Sequence, residues 1–415
     1  MKNFLSTLPS PDDLSRLTGN SEFPEYREAN GHIHTPFSFS AFPDIESVFR
    51  LAKEENIVSL GINDFFVADG YTAFHKQSVK NKVFPLFNIE FIGLMKEEQK
   101  NGMRINDPNN PGRIYFSGKA LDFPFHLGLF NRIKLRRIKK NSQEQIRQMI
   151  QKVNQLLSFV NAPFRLDYEA IRKHYAHKLV RERHIAKALR IKVQDYYRHP
   201  DLQVKALRQL YGGKEPKSVS SNAAATENEI RSNLLKAGGA AFVEEDSSGF
   251  LSLEEIIRMI SNAGGVPCYP VLLDDAAGQI TEFEADAEKL YHALSYYGIG
   301  CIELIPQRNN FDILKRYVEF FDEKGFIITF GTEHNSPDMI PLTPSARGGK
   351  DLESYLKRTA WKGTCILAAH QYLRSKGMPG ITGVDGRVIM EYLPQHALLG
   401  KQVIEYYLNH FTHEA

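Results

Sequence analysis

Apolar positions in the first part of the chain follow two alternating periods. Short apolar runs of strand length are separated by stretches in which apolar residues recur every three or four positions, as on one face of a helix. The stretch at 44–56 is typical, with Asp44 at the cap position before an apolar stripe. This β/α rhythm predicts a mostly parallel sheet. The predicted strands cover 31–35, 57–63, 83–92 and 113–116, and the predicted helices cover 44–56 and about 71–80.

The β/α rhythm stops near residue 126 and returns after about 240. Between these points apolar residues follow long helical periods, as at 143–160, and a Ser/Ala/Asn-rich patch at 218–226 is typical of an exposed link. The sequence contains no internal repeat, no Gly-x-Gly-x-x-Gly motif and no phosphate loop. The later helix and strand predictions are 253–263 with 266–270, 284–297 with 299–305, 311–324 with 326–331, and two final helices at 350–375 and 394–411.

Length and composition indicate a large core with an insertion or appendage, since the chain has 415 residues, of which 42% are hydrophobic. No apolar stretch reaches the roughly eighteen residues of a membrane span, and the N-terminus lacks a signal-peptide layout. We therefore expect a cytoplasmic protein. Cys268, Cys301 and Cys365 are too widely spaced for a metal knuckle or a disulfide framework, so we expect reduced, structural thiols.

Positive charge is concentrated in one segment, although the formal net charge is only +3. Residues 131–220 hold 22 Lys and Arg against 7 Asp and Glu, whereas the remainder holds 30 against 42. Such a segment could face nucleic acid, phosphorylated small molecules, or the acidic remainder of the same protein. The sequence leaves these three alternatives open.

His32 and His34 are the first candidate ligands of a metal ion. Alternate side chains of a strand share a face, so both imidazoles would point toward one cation. Two neutral imidazoles suit zinc, manganese or iron. A bare His-x-His is also compatible with two ordinary polar side chains at a strand end, so further ligands must support the hypothesis.

Further ligand-type or acid–base residues stand at the ends of predicted strands. In a mostly parallel sheet, reactive groups collect at the carboxyl ends of the strands. Each residue alone is also common at surfaces and helix caps, so their joint placement with the two histidines carries the argument. These residues are Asp64, Glu90, Glu303, Glu333 and His334.

Four short motifs follow one another along the chain, namely Gly-His-Ile-His-Thr at 31–35, Leu-Gly-Ile-Asn-Asp at 60–64, Phe-Asn-Ile-Glu-Phe at 87–91 and Phe-Gly-Thr-Glu-His at 330–334. Their order resembles the PHP superfamily of metal-dependent phosphoesterases, over roughly residues 28–340. Two longer blocks, at 183–189 and 251–266, resemble the branch of bacterial nucleoside-phosphate and oligonucleotide phosphoesterases, whose members carry a helical insertion in the barrel. The ordered set carries the resemblance, since each motif is short.

The resemblance implies an α/β fold, a distorted (β/α)7 TIM-like barrel of PHP type with an α-helical insertion. The chain adds a C-terminal helical extension, whose Trp361 and His370 we expect to pack against the barrel. The predicted parts are a lead segment at 1–27, the barrel at 28–125 and 240–345, the basic insertion at 126–239, and the extension at 346–415.

The resemblance also implies a set of metal ligands for zinc, manganese or iron. Members of the family typically hold two or three divalent ions, but this chain has Ser40, Phe65 and Tyr269 where further ligands would stand. Phe65 and Tyr269 cannot bind a metal as an imidazole does, so we expect one ion per chain. The ligands implied for it are His32, His34, Glu90 and Glu333.

With fewer metal ions, protein cations would have to bind the phosphate, because Arg grips phosphate oxygens bidentately. His184 is equally compatible with a phosphate contact and with a cap or core role. Asp64 and His334 are the candidates for general acid or base. The candidate cations are Arg113, Lys119 and Arg183.

Three functions follow as hypotheses. The first is a hydrolase that uses metal-bound water on a phosphate ester, such as a nucleotide, an oligonucleotide or a sugar phosphate. The second is a degenerate relative that binds one metal or a phosphorylated ligand without turnover. The third is a nucleic-acid-binding protein that uses the basic insertion. The expected partner is a phosphorylated small molecule or an oligonucleotide, and no membrane.

Overall fold

A computed structural model of the chain describes residues 3–18, 26–218, 221–245, 249–273, 278–336, 338–383 and 385–410. Within these residues seven strands form one sheet in which the strands follow their order along the chain. They are β1 (Ala29–Ile33), β2 (Ser59–Phe65), β3 (Phe84–Leu94), β4 (Arg113–Lys119), β5 (Val266–Val271), β6 (Cys301–Leu304) and β7 (Ile327–Phe330).

The sheet curls into a nearly closed barrel. Neighbouring strands are parallel except at β4, which runs antiparallel to both β3 and β5. The segment after β7 meets β1, because Ile33 bridges to Glu333 and the His34 N–H donates to the Glu333 carbonyl at 2.8 Å. Closure removes free sheet edges and gathers the carboxyl ends of the strands around one opening. The predicted TIM-like barrel is confirmed.

The predicted strands and long helices are present, and their ends shift by a few residues, apart from the helix predicted at 143–160, which begins at Leu129. Asp44 caps its helix as expected, since its carboxylate accepts the Ser47 N–H at 2.7 Å. Along the chain, the helices Ile45–Glu54, Tyr71–Asn81, Leu253–Asn262, Ala287–Tyr296 and Phe311–Glu323 lie between strands of the barrel. The helices in chain order are α1 (Pro11–Thr18), α2 (Ile45–Glu54), α3 (Tyr71–Asn81), α4 (Lys96–Lys100), α5 (Leu129–Phe159), α6 (Tyr168–Tyr175), α7 (Glu182–Tyr196), α8 (Pro200–Leu210), α9 (Ala223–Ile230), α10 (Leu253–Asn262), α11 (Ala287–Tyr296), α12 (Phe311–Glu323), α13 (Ser354–Ser375) and α14 (Leu393–His410).

The expectation of an exposed link at 218–226 is wrong for its second half. Asn222 caps α9 by accepting the Ala225 N–H at 3.1 Å, and Thr226 is fully buried. A capping residue followed by alanines favours a helix, which outweighs the link-like composition. Residues 219–220 lie outside the described part of the chain.

The insertion has a hydrophobic core of its own and is tied to the barrel by α5, which begins well before the predicted 143–160. Leu135 and Ile138, in the first half of α5, pack into the barrel core. Ile150 and Val153, in the second half, pack with α6 to α9 in a separate core. One long helix therefore fixes the position of the insertion on the barrel.

The C-terminal helices α13 and α14 pack against the barrel, as the sequence led us to expect. Trp361 is buried, and His370 donates from Nε2 to the Gly264 carbonyl at 2.7 Å. Gly363 lets α13 approach β7, since a Cβ there would lie 2.0 Å from the Ile328 oxygen. All three cysteines are buried and free. Among the described residues, no helix is both long and apolar enough to cross a bilayer.

Candidate metal centre and cleft

Three of the four predicted metal ligands meet inside the barrel. His32 and His34 stand at the end of β1, and Glu90 lies in β3 beside Phe65. One donor atom from each of the three lies within 4.8 Å of the others, and all three side chains are buried. The two Nε2 atoms are 3.2 Å apart, and Glu90 Oε2 is 3.2 Å from that of His34 and 3.6 Å from that of His32. We call these three residues the triad.

His32 is oriented from its other ring nitrogen by a buried carboxylate. Its Nδ1 lies 3.0 Å from Glu303 Oε1, which also accepts the Ser117 hydroxyl at 3.0 Å. Lys119 binds the second oxygen of Glu303 at 2.6 Å. Burial alone would lower the pKa of His32, but Glu303 and Glu90 outweigh it and raise that pKa to about 9. A histidine that donates to a carboxylate presents its opposite nitrogen as a ligand atom.

His34 is held on its other side by polar and aromatic contacts. Its Nδ1 lies 3.3 Å from the Ser38 hydroxyl, which donates to Asp64 at 2.6 Å. The His34 ring stacks on the Phe65 ring, with centroids 4.9 Å apart. The Arg181 guanidinium in turn lies over the Phe65 ring, 4.6 Å from its centroid. These contacts leave His34 Nε2 directed toward His32 and Glu90.

The triad fits a divalent cation. Its three ligand-type atoms converge, and the buried Glu90 Oε2 faces the two imidazole nitrogens without a hydrogen bond of good geometry among the described residues. Burial raises the pKa of Glu90, but the two imidazoles outweigh that effect and lower it to about 2. An ionised carboxylate beside two imidazole nitrogens is a donor set suited to zinc, manganese or iron, with positions left for water or substrate.

Glu333, the fourth implied ligand, is not part of this cluster. Its carboxylate pairs with Arg308 and accepts the Asn335 amide at 2.7 Å. Its backbone, in contrast, joins β1 at the barrel seam. The structure therefore brings together three of the four residues and leaves the Glu333 side chain at the rim of the adjoining cleft.

A cleft of about 470 Å³ adjoins the triad, with Glu90 in its wall. One side comes from the barrel and the other from the insertion, through the start of α7 and the π-helical turn Arg231–Leu235. The charged residues that line it are Arg181, Arg183, Arg231, Lys236, Arg308 and Arg347, together with Glu90, Asp107, Glu182 and Glu333.

Positive charge is crowded on the insertion side of the cleft. Burial and the nearby Arg231 lower the pKa of Arg183 to about 9. The same two causes lower the pKa of Lys236. Glu182 pairs with Arg231 and offsets only part of this charge. Cations that destabilise one another's charged form in a concave site favour a bound anion.

Of the four residues predicted to contact phosphate, one lines the cleft. Arg183 lines the cleft. Arg113 pairs with Glu245 at 2.5 Å and does not line the cleft, and Lys119 is buried against Glu303. For His184 the structure favours the cap role, because its Nδ1 accepts the Arg181 N–H at 2.9 Å and the side chain is buried.

The two acid–base candidates are buried beside the triad and do not line the cleft. Asp64 accepts hydrogen bonds from Thr35 and Ser38, and its pKa is raised because burial outweighs these bonds. His334 is bonded through Nδ1 to the Thr332 hydroxyl at 2.8 Å and through Nε2 to the Ile340 carbonyl at 2.9 Å. Both side chains are thus committed to structural contacts.

The sequence did not identify several residues that build the site. Glu303 stands at a predicted strand end, but no sequence feature links it to His32. Only one of the missed cations, Arg181, lies in the segment 131–220 whose surplus of Lys and Arg is visible, and the pattern gives no reason to select it. These missed residues are Arg181, Arg231, Lys236, Arg308 and Arg347.

The fold and the site together define an α/β barrel of the TIM-like type with a buried His–His–Glu cluster. An amidohydrolase from Chromobacterium violaceum, solved with bound sulfate and no metal, shares the fold with a TM-score of 0.52 and 14% identity, over 80% of this chain and 96% of its own. A Bifidobacterium adolescentis protein, provisionally described as a metal-dependent phosphoesterase, has a TM-score of 0.51 and 13% identity, over 81% of this chain and 97% of its own. The likeness confirms the fold that the PHP resemblance implies. No family profile and no curated protein matches the sequence.

Proposed function

We propose that this protein is a metal-dependent hydrolase of a phosphate ester, such as a nucleotide, an oligonucleotide or a sugar phosphate. The observation that carries the proposal is the juxtaposition of the triad with a cation-lined cleft, which has Glu90 in its wall. A ligand in the cleft would place an anionic group beside the metal ligands. The Bifidobacterium neighbour, described as a metal-dependent phosphoesterase, is in keeping with this chemistry.

Each group of residues has a defined task in this proposal. His32, His34 and Glu90 would hold one divalent ion, which when bound supplies Lewis acidity and lowers the pKa of water. Arg183 and Lys236 bind phosphate oxygens, because burial and the nearby Arg231 lower the pKa of each and an anion would relieve that effect. Phe65 and Phe39 form apolar parts of the wall and exclude water from that side of the ligand.

A second candidate is binding of a metal or a phosphorylated ligand without turnover. It is favoured by Ser40, Phe65 and Tyr269, which stand where the resemblance implies further metal ligands. It is also favoured by the committed hydrogen bonds of Asp64 and His334, which leave neither facing the cleft. The third candidate, nucleic-acid binding by the basic insertion, is favoured by the cations that α7 contributes to the cleft.

Hydrolysis and binding are separated by two measurements on the same preparations. Protein supplied with manganese, zinc or iron is assayed against a panel of phosphate esters, and a non-hydrolysable phosphonate is titrated calorimetrically. The proposal predicts metal-dependent release of phosphate that Glu90→Gln abolishes, and phosphonate binding that Arg183→Met weakens. Lys205→Gln, at an exposed position of the insertion outside the cleft, is the control. Phosphonate binding without hydrolysis of any ester would favour the second candidate.

A further inference from the structure

The N-terminal end of α5 exposes three large apolar side chains. Leu129, Phe130 and Ile133 are 58%, 81% and 53% exposed. Nothing lies within 4 Å of the Cβ position at Gly128, immediately before them, so this end of the helix projects into solvent. We call these three residues the apolar tip. Three neighbouring apolar side chains on an outer helical turn form a patch rather than a scattered exposure.

Four cations lie along the first three turns of α5, within and directly after the apolar tip. Arg132, Arg136, Arg137 and Lys140 are exposed, and in the described part of the chain none of them pairs with a carboxylate. Residues 128–143 contain no Asp or Glu. We call the four cations the basic collar. The positive charge is therefore available to a partner and is not used within the fold.

The tip and the collar share one face of a rigid helix. Positions 129, 133, 136 and 140 follow helical spacing, so they form one stripe. The opposite face is anchored, because Leu135 and Ile138 pack into the barrel core and Lys134 pairs with Glu255 at 2.6 Å. The surface is thus presented in a fixed orientation without a folding step.

We propose that the apolar tip and the basic collar form a docking surface for an anionic phospholipid membrane. The apolar side chains insert among acyl chains at the interface, while the cations meet phosphate and carboxylate headgroups, with their aliphatic stems along the apolar surface. A nucleic acid would use the collar but would offer Leu129 and Ile133 no apolar partner. Lipid matches both halves of the surface.

Such a contact needs no membrane-spanning segment. The expectation of no membrane partner rested on the absence of a long apolar stretch, and a peripheral contact buries only one helical turn. The proposal is independent of the catalytic one, because no tip or collar residue lines the cleft that adjoins the triad.

Co-sedimentation of the full chain with vesicles tests the proposal. One set of vesicles contains phosphatidylcholine alone, and the other also contains phosphatidylserine. We expect binding to the anionic vesicles only, weakened by salt. Arg136→Gln with Arg137→Gln should reduce the partition coefficient roughly thirtyfold, at about 1 kcal/mol per cation. Phe130→Ser with Ile133→Ser should reduce it at least about tenfold.

Matched variants control for charge and for exposed apolar area. Lys205→Gln with Lys214→Gln removes the same charge elsewhere on the insertion, and Phe159→Ser removes an 86% exposed aromatic ring at the other end of α5. Both controls should bind like the parent chain. Circular dichroism of each variant verifies that the insertion remains folded.

Three results would overturn the proposal. The first is no binding to anionic vesicles at low salt. The second is binding that the collar variant weakens and the tip variant leaves unchanged, together with tight binding of a single-stranded oligonucleotide, which would assign the surface to nucleic acid. The third is a dimer in sedimentation velocity that Phe130→Ser dissociates, which would show that a second copy of the chain covers the tip.

Discussion

Lys119 Nζ and Glu303 Oε2 lie 2.6 Å apart in the barrel interior, and neither side chain is exposed. The same carboxylate lies 3.0 Å from His32 Nδ1. Burial would raise the pKa of Glu303, but His32 and Lys119 outweigh it and lower it to about 2. The lysine thus keeps charged the carboxylate that orients a candidate metal ligand.

Breaking this pair from one side should strongly destabilise the protein. Lys119→Met leaves Glu303 buried without its ammonium, and Glu303→Gln leaves the ammonium without its carboxylate. Loss of one partner of a buried pair costs about 3–5 kcal/mol. We expect each single variant to lose about that much free energy of unfolding in urea, and the double variant Lys119→Met/Glu303→Gln to lose clearly less. Additive losses would contradict the coupling of the two residues.

Metal affinity should depend on the Glu303 carboxylate even in the double variant, in which part of the free energy of unfolding is restored. In the double variant a glutamine oxygen still accepts from His32 Nδ1, but it lacks the charge that makes the imidazole a stronger ligand. Changes to such partners typically cost 10–100-fold in metal affinity. We expect a loss of about that size in competition with a chelator. The matched control is Arg190→Met with Glu227→Gln, which removes a largely buried pair in the insertion at 2.8 Å. An equal loss in the control would indicate a general effect of destabilisation.

Much of the fold could be predicted from the sequence, because the alternation of strand and helix patterns is local. The pairing of His32 with His34, and the approach of Glu90, follow from strand geometry and from the rule that strand ends meet. The antiparallel β4 could not be predicted from the pattern. Its Lys119 meets a residue 184 positions later in the chain, and only the closed barrel brings the two together.

The cations that line the cleft are harder to predict from the sequence than the triad, because they too come from distant parts of the chain. Arg183 was a candidate because it falls in a motif block. Arg231 and Lys236 follow a stretch that looked like a link, and their approach to Arg183 depends on the packing of α9 against α7. A surplus of cations can be counted in a sequence, whereas the members that share one cavity are selected by tertiary structure.

Substitution of triad residues should remove bound metal. His32→Ala and Glu90→Ala each delete a ligand atom from the cluster, whereas Tyr269→Phe removes a hydroxyl that donates to Glu284 at 2.8 Å. Elemental analysis of protein loaded with manganese or zinc should give one ion per chain for the parent and for Tyr269→Phe, and close to none for the other two. Two or more ions per parent chain would contradict the single-site interpretation.

Glu284 should make stability depend on pH near neutrality. Burial raises its pKa to about 7, against the opposing effect of hydrogen bonds from Leu272, Leu273 and Tyr269. Because the folded pKa lies above the ordinary 4.5, the stabilisation is complete below about pH 4.5 and is lost as pH rises through 7. The shift corresponds to roughly 3 kcal/mol.

Urea unfolding at a series of pH values measures this contribution as a slope. The free energy of unfolding of the parent chain should fall between pH 4.5 and 7. Glu284→Gln should show a smaller fall over the same range, whatever its absolute free energy of unfolding. Glu282→Gln is the control, since Arg104 lowers the pKa of Glu282 to about 2 and its titration falls below this window. An unchanged slope in Glu284→Gln would mean that the buried carboxyl titrates near its ordinary value, and that its three donors hold it ionised in the folded state.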